Sequence, residues 1–151
     1  MKLTEAIKQK RFKTEMEKAV VNILFTSSWL NYQQSAVFKE FGITMKQFNI
    51  LRILKGQYPK AATVNLLIDR MIDKSSNASR IVDKLVEKGL VERTSCPEDR
   101  RRVDIIISDS GMKIVNQASQ RLEETKIFSH SLSENEAQKL NQLLDKLRTK
   151  E

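Results

Sequence analysis

The chain has 151 residues, 40% apolar and 30% charged, with a formal charge of +8 and a pI near 9.7. This is enough chain for one protomer with its own core, yet no apolar run reaches the ~18 residues of a membrane span, and the N-terminal MKLTEAIKQKRFKTEMEKAV lacks the apolar centre of a secretory leader. A lone Cys96 excludes an intrachain disulfide framework, and a single His130 excludes a four-ligand His/Cys zinc centre, so a cytoplasmic protein without metal, cofactor or membrane partner is expected.

Residues from about Thr4 to Gln34 read as one long helix. Met16, Ala19, Val20, Ile23, Leu24 and Leu30 form its stripe, and Lys8, Lys10, Arg11 and Lys13 stay polar. A stripe on so long a helix asks for a partner helix, most simply from a second copy of the chain. Gly42-Ile43-Thr44 interrupts the pattern. Thr44 and Gln47 then form a capping box, with Ile43 and Phe48 as its hydrophobic staple, and a helix follows to about Lys55 that buries Phe48, Leu51, Ile53 and Leu54. Gly56 to Pro59 reads as a loop. Thr63 caps a short helix through Met71, and Ile72-Asp73-Lys74 forms a turn.

The next helix is expected from about Ser75 to Lys88. Ala78, Ile81, Val82, Leu85 and Val86 mark its apolar side, while Ser75, Ser76, Asn77, Ser79, Arg80 and Lys84 mark its polar one. Gly89 stands where a left-handed helix stop belongs. Leu90 to Ser95 and Val103 to Ile107 then alternate as a half-buried strand pair around the charged tip Pro97-Glu98-Asp99-Arg100-Arg101-Arg102. Ser108 caps a helix to about Lys126 with Ile114, Val115, Ala118 and Leu122 inward. Ser133 and Glu136 form a second capping box for a last helix carrying Ala137, Leu140, Leu143, Leu144 and Leu147. The fold class is mainly α with a small β-hairpin: a short helix, a turn, a helix with a polar face, and a basic wing.

Such a helix suits the major groove of duplex DNA, roughly 12 Å wide, where Asn pairs with adenine and Arg with guanine in a two-point fashion. The arginines of the tip suit a neighbouring minor groove or phosphates. SNASRIVDKLVEKGLVER followed by PEDRRRVDIIIS resembles the recognition helix and wing of the MarR family of winged helix-turn-helix transcriptional regulators, and the resemblance extends over roughly residues 10–148. Ser108 departs from the usual Thr of the family; both cap helices well.

The resemblance implies one protomer over residues 1–151, with a winged helix-turn-helix at about 44–108 and dimerisation helices at about 4–34 and 110–148. Its partners are then double-stranded DNA and a second copy of the chain. Ser75, Ser76, Asn77, Ser79, Arg80, Lys84, Arg100, Arg101 and Arg102 are the candidate DNA contacts. Asp99, with Arg101, shapes the wing tip in the Asp-x-Arg pattern of the family. The bland alternative leaves Ser75 or Ser76 as a mere cap and the arginines as a solvated loop.

Many relatives bind a small aromatic effector between the two parts. Trp29, Tyr32 and Phe48 are candidates for such a pocket, against the alternative that aromatics at helix spacing are plain core. Cys96 reads as an inert thiol. The function expected is a homodimeric repressor of an inverted-repeat operator. The competing reading is a winged-helix module that binds a protein partner, which the polar, basic face opposes. No nucleophile–base pair, phosphate loop or dinucleotide fingerprint argues for an enzyme.

Overall fold

Hydroxyl side chains start four of the helices where the sequence marks them. In the computed structural model, which describes residues 1–95, 103–126 and 131–149, Thr44 opens α3 (Met45–Gln57) and Thr63 opens α4 (Val64–Arg70). Ser108 opens α6 (Asp109–Glu124) and Ser133 opens α7 (Glu134–Arg148). Thr44 Oγ1 accepts from Gln47 N at 3.2 Å while Gln47 Oε1 accepts from Thr44 N at 3.0 Å, which closes the box. Each pairing satisfies an amide that the first helical turn would otherwise leave without a partner.

The N-terminal helix differs from its expected single run. Leu3–Ala6 forms a short α1, residues 7–14 leave the helix, and α2 runs from Glu15 to Glu40. Lys8 takes a positive φ of 54° in the break. Thr14 caps α2 by accepting from Glu17 N at 3.0 Å, and Glu17 Oε2 accepts in return from Lys13 N at 2.7 Å. This local start signal outweighs continuation of the basic segment before it. At the other end the helix passes Gln34 because nothing stops it before Gly42, whose φ of 65° permits the left-handed exit.

The expected hairpin is part of a three-stranded antiparallel sheet in the order β1-β3-β2. Strands β2 (Val91–Ser95) and β3 (Val103–Ile107) pair with Val91 opposite Ile107 and Ser95 opposite Val103. The added strand, β1 (Ala62–Thr63), sets Ala62 opposite Ile105 on the other edge of β3. Two residues show no periodicity; the open edge of β3 recruits them. Ile105 and Ile107 are buried and Asp104 and Ile106 are half-buried, as alternation requires.

The core sits within the segment from Phe38 to Ala118. Phe38 from the end of α2, Ile50, Leu51 and Leu54 from α3, Leu67 from α4, Ile105 and Val115 are fully buried, together with Val82 and Leu85 of α5 (Ala78–Glu87). The Phe38 and Phe48 rings lie 4.4 Å apart, tilted by 32°. Among the described residues, no helix is long and apolar enough to cross a membrane.

Candidate nucleic-acid interface

Helix α5 is pinned by its apolar side. Ala78, Val82 and Leu85 face the core, which turns Ser79, Arg80, Asp83, Lys84 and Glu87 to the outside. At its end Gly89 takes φ 67°. Ser108 then stitches this exit to the next helix, with Oγ donating to Gly89 O at 2.7 Å and N donating to Leu90 O at 3.1 Å. The base of the wing is tied to α5 as well, since Arg93 on β2 pairs with Asp83 at 2.7 Å. Sequence periodicity gave no signal for that pair, which depends on how strand and helix dock.

The helix begins at Ala78, not at about Ser75. Asp73 is the reason. Its Oδ1 accepts from Ser75 N at 3.0 Å and from Ser75 Oγ at 2.5 Å, and its Oδ2 accepts from Ser76 Oγ at 2.8 Å. Lys46, on the first turn of α3, pairs with the same carboxylate at 2.9 Å. The two serines are thereby held in a turn, an arrangement that competes with helix for short polar side chains. The donors of Ser75, Lys46 and Ser76 hold the Asp73 carboxyl well below the usual carboxylate range.

These bonds limit what the expected contacts can offer. Ser75 is exposed and Ser76 half-buried, but both hydroxyl protons are already directed at Asp73, so lone pairs are what they present outward. Asn77 is the cap: its Oδ1 accepts from Arg80 N at 3.0 Å. The two-point pairing with adenine expected of Asn77 would have to share that oxygen, whereas its amide N–H groups are uncommitted by the cap. Ser79, Arg80 and Lys84 are exposed on α5. Arg100, Arg101, Arg102, the wing-shaping Asp99, Cys96 and also His130 lie outside the described residues.

The effector candidates separate. Phe48 is buried and lines a cleft of about 540 Å³ between α3 and α6, together with Arg52, Lys55, Gly56, Ser119, Leu122 and Glu123. The Arg52 guanidinium lies 6.0 Å from the centre of the Phe48 ring, within reach of a cation–π attraction. Trp29 and Tyr32 stand on α2, 42% and 75% exposed, and do not line this cleft.

The MarR family model matches residues 43–103. The HTH-type transcriptional regulator MgrA of Staphylococcus aureus is 28% identical over 116 residues, 77% of either chain. Among solved structures, the organohalide-sensing RdhR regulator in its 2,4-dichlorophenol-bound form superposes with a TM-score of 0.80 at 21% identity, covering 93% of this chain and 85% of that one. A mutant MarR from E. coli complexed with operator DNA gives 0.78 at 23% identity, covering 93% and 100%. The matched segment holds the helix-turn-helix and reaches the first residue of β3, and the fold is that of the MarR winged-helix regulators, which together support a MarR-family transcriptional regulator.

Proposed function

We propose that the protein is a homodimeric repressor of an inverted-repeat operator, released by a small aromatic effector. The observation that carries this reading is the division of its surface. The outward face of α5 presents Ser79, Arg80 and Lys84, with Val86 its one exposed large apolar side chain, whereas α2 and α7 leave whole apolar stripes open: Met16, Val20, Ile23 and Leu24 on one, Leu140, Leu143 and Leu147 on the other. Polar and cationic groups suit base edges and phosphates. Exposed leucines on two helices suit a second copy, so the flanking helices, about residues 4–34 and 110–148, are assigned to dimerisation.

Ser75, Ser76, Asn77, Ser79, Arg80 and Lys84 are assigned to the major groove and its phosphates, and Arg100, Arg101 and Arg102, shaped by Asp99, to the minor groove beside it. Two such helices reach successive major grooves when they stand about 34–36 Å apart. The effector, for which Phe48, Trp29 and Tyr32 are the candidates, acts by favouring a dimer whose helices no longer match that distance. The dichlorophenol in the RdhR structure supports an aromatic ligand class.

Selection of bound sites from a random duplex library tests the proposal. The expected outcome is an inverted repeat with half-sites about one helical turn apart, bound far more tightly than scrambled duplex. Weak, sequence-independent and salt-sensitive binding alone would refute it.

A further inference from the structure

Beside the recognition helix runs a second cleft, of about 340 Å³, lined from α3 by Thr44, Lys46 and Gln47 and from α5 by Ile81, Lys84, Glu87 and Lys88. Three cations and one anion border it. Lys88 is not available to a ligand in the way the others are. Its Nζ donates to Gly42 O at 2.5 Å and to Gln47 Oε1 at 3.2 Å, and it so brackets the end of α5 to the start of α3. Gln47 is buried, and the same oxygen accepts from Thr44 N, so the bracket rests on a fixed support. Lys84 projects one turn earlier on α5. Lys46 reaches the other way, to the Asp73 carboxylate in the turn that leads into Asn77.

We infer that Lys46, with Lys84 across the cleft, seats a backbone phosphate of the duplex flanking the half-site, an assignment that rests on the DNA-reading proposal above. Lys46 is well placed to exchange partners. Its side chain is 55% exposed and that of Asp73 43%, and an ion pair so open to water contributes little. Asp73 is not stranded when Lys46 leaves, because Ser75 N, Ser75 Oγ and Ser76 Oγ still donate to it. A phosphate carries its negative charge on several acceptor oxygens and can take both lysines at once, which one carboxylate already filled by serines does not do. Such a contact carries no sequence information; it fixes how the recognition helix sits in its groove.

The test measures affinity of the full-length protein for its selected operator and for scrambled duplex, from about 50 to 200 mM salt, the range over which phosphate contacts dominate. The proteins are the parent, Lys46→Ala, Lys46→Arg and Lys84→Ala. Neutralising one phosphate contact lowers the steepness of log affinity against log salt by about 0.9, so the loss of affinity across that range shrinks about 3.5-fold. Lys46→Ala is expected to show this, to weaken both duplexes by the same factor, and to be rescued by Lys46→Arg. A duplex with a single uncharged methylphosphonate at the seated position should bind the parent as weakly as Lys46→Ala binds the natural duplex, and the two changes together should add nothing. An unchanged salt slope in Lys46→Ala, or a loss confined to the selected operator, overturns the seat while leaving the regulator reading intact. A parent that selects no duplex overturns both.

Discussion

Between Phe38 and Ala118 most apolar side chains close on one another; along α2 before Val37, and along α7, they do not. Leu85 in the recognition helix is fully buried, whereas Leu143 in the last helix is 54% exposed, although both sit at inward-reading positions of an amphipathic pattern. The winged helix-turn-helix packs Leu51, Leu67, Val82 and Ile105 in one cluster, which Phe38 at the end of α2 joins. α7 contributes no buried residue at all. The same pattern therefore has two meanings. Where elements with complementary faces lie within one chain it makes a core, and where they do not it marks a surface still to be covered.

The comparison is broken most severely where the closed region has no room. A Cβ at Gly111 would stand 2.0 Å from Leu90 O and 2.9 Å from Ile107 Cγ1. A backbone carbonyl cannot step aside as a side-chain tip does, so Gly111→Ala is expected to lower stability by about 3 kcal/mol or more, seen as a fall in the urea midpoint. The contrast between regions is sharpened by one substitution made twice. Leu85→Ala should cost about 2–5 kcal/mol through the cavity it leaves. Leu143→Ala should move the unfolding of dilute protein by no more than about 0.5 kcal/mol. Sedimentation should show that only Leu143→Ala weakens self-association at fixed fold, by about tenfold for a contact of ~1.4 kcal/mol. Equal losses of stability at both sites would remove the distinction.

The smallest effect belongs to the turn before the recognition helix. The Asp73 carboxyl is held below its ordinary value of 3.8 in the folded chain. Its contribution to stability is therefore complete above about pH 4 and is lost as the pH falls further toward the folded value. Asp73→Asn should unfold more easily than the parent at neutral pH, and the gap should narrow as the medium is made more acidic. A gap that widens in acid would mean that the carboxylate is not what holds Ser75 and Ser76.

Much of the fold was legible in the sequence because it is written locally. Thr44, Thr63, Ser108 and Ser133 each sit three residues before the amide they satisfy, and Gly89 is where only glycine turns cheaply to the left. The break before α2 was equally local, in Thr14 and Glu17, but a continuous run of helix-forming residues masked it. Other features depend on distant partners. Strand β1 exists because β3 offers it an edge. The start of α5 was misplaced because the preference of serines for an N-cap was outweighed by a carboxylate two and three residues earlier. Lys46 was invisible as part of the interface, since only docking of α3 against the turn brings it to Asp73, 27 positions along the chain. Phe48 was read correctly as buried, but nothing in helix spacing separates it from Trp29 and Tyr32, which the fold leaves on another surface.

The stitching at Ser108 and the missing side chain at Gly111 have a mechanical consequence. The chain leaving α5 meets the entrance of α6 closely, with Leu90 O over Gly111, and one hydroxyl, that of Ser108, donates to Gly89 O and accepts from Gly111 N at 3.0 Å. A backbone carbonyl sits where a flexible side chain could otherwise give way, which leaves little there to absorb a displacement. α6, which also borders the Phe48 cleft through Ser119, Leu122 and Glu123, is thus geared directly to the recognition helix. Close-packed backbone contacts transmit motion as tilts of whole elements. A wedge a few ångströms wide in the cleft would be felt at the far end of this shaft as a change of pitch, with the teeth of the gear still engaged.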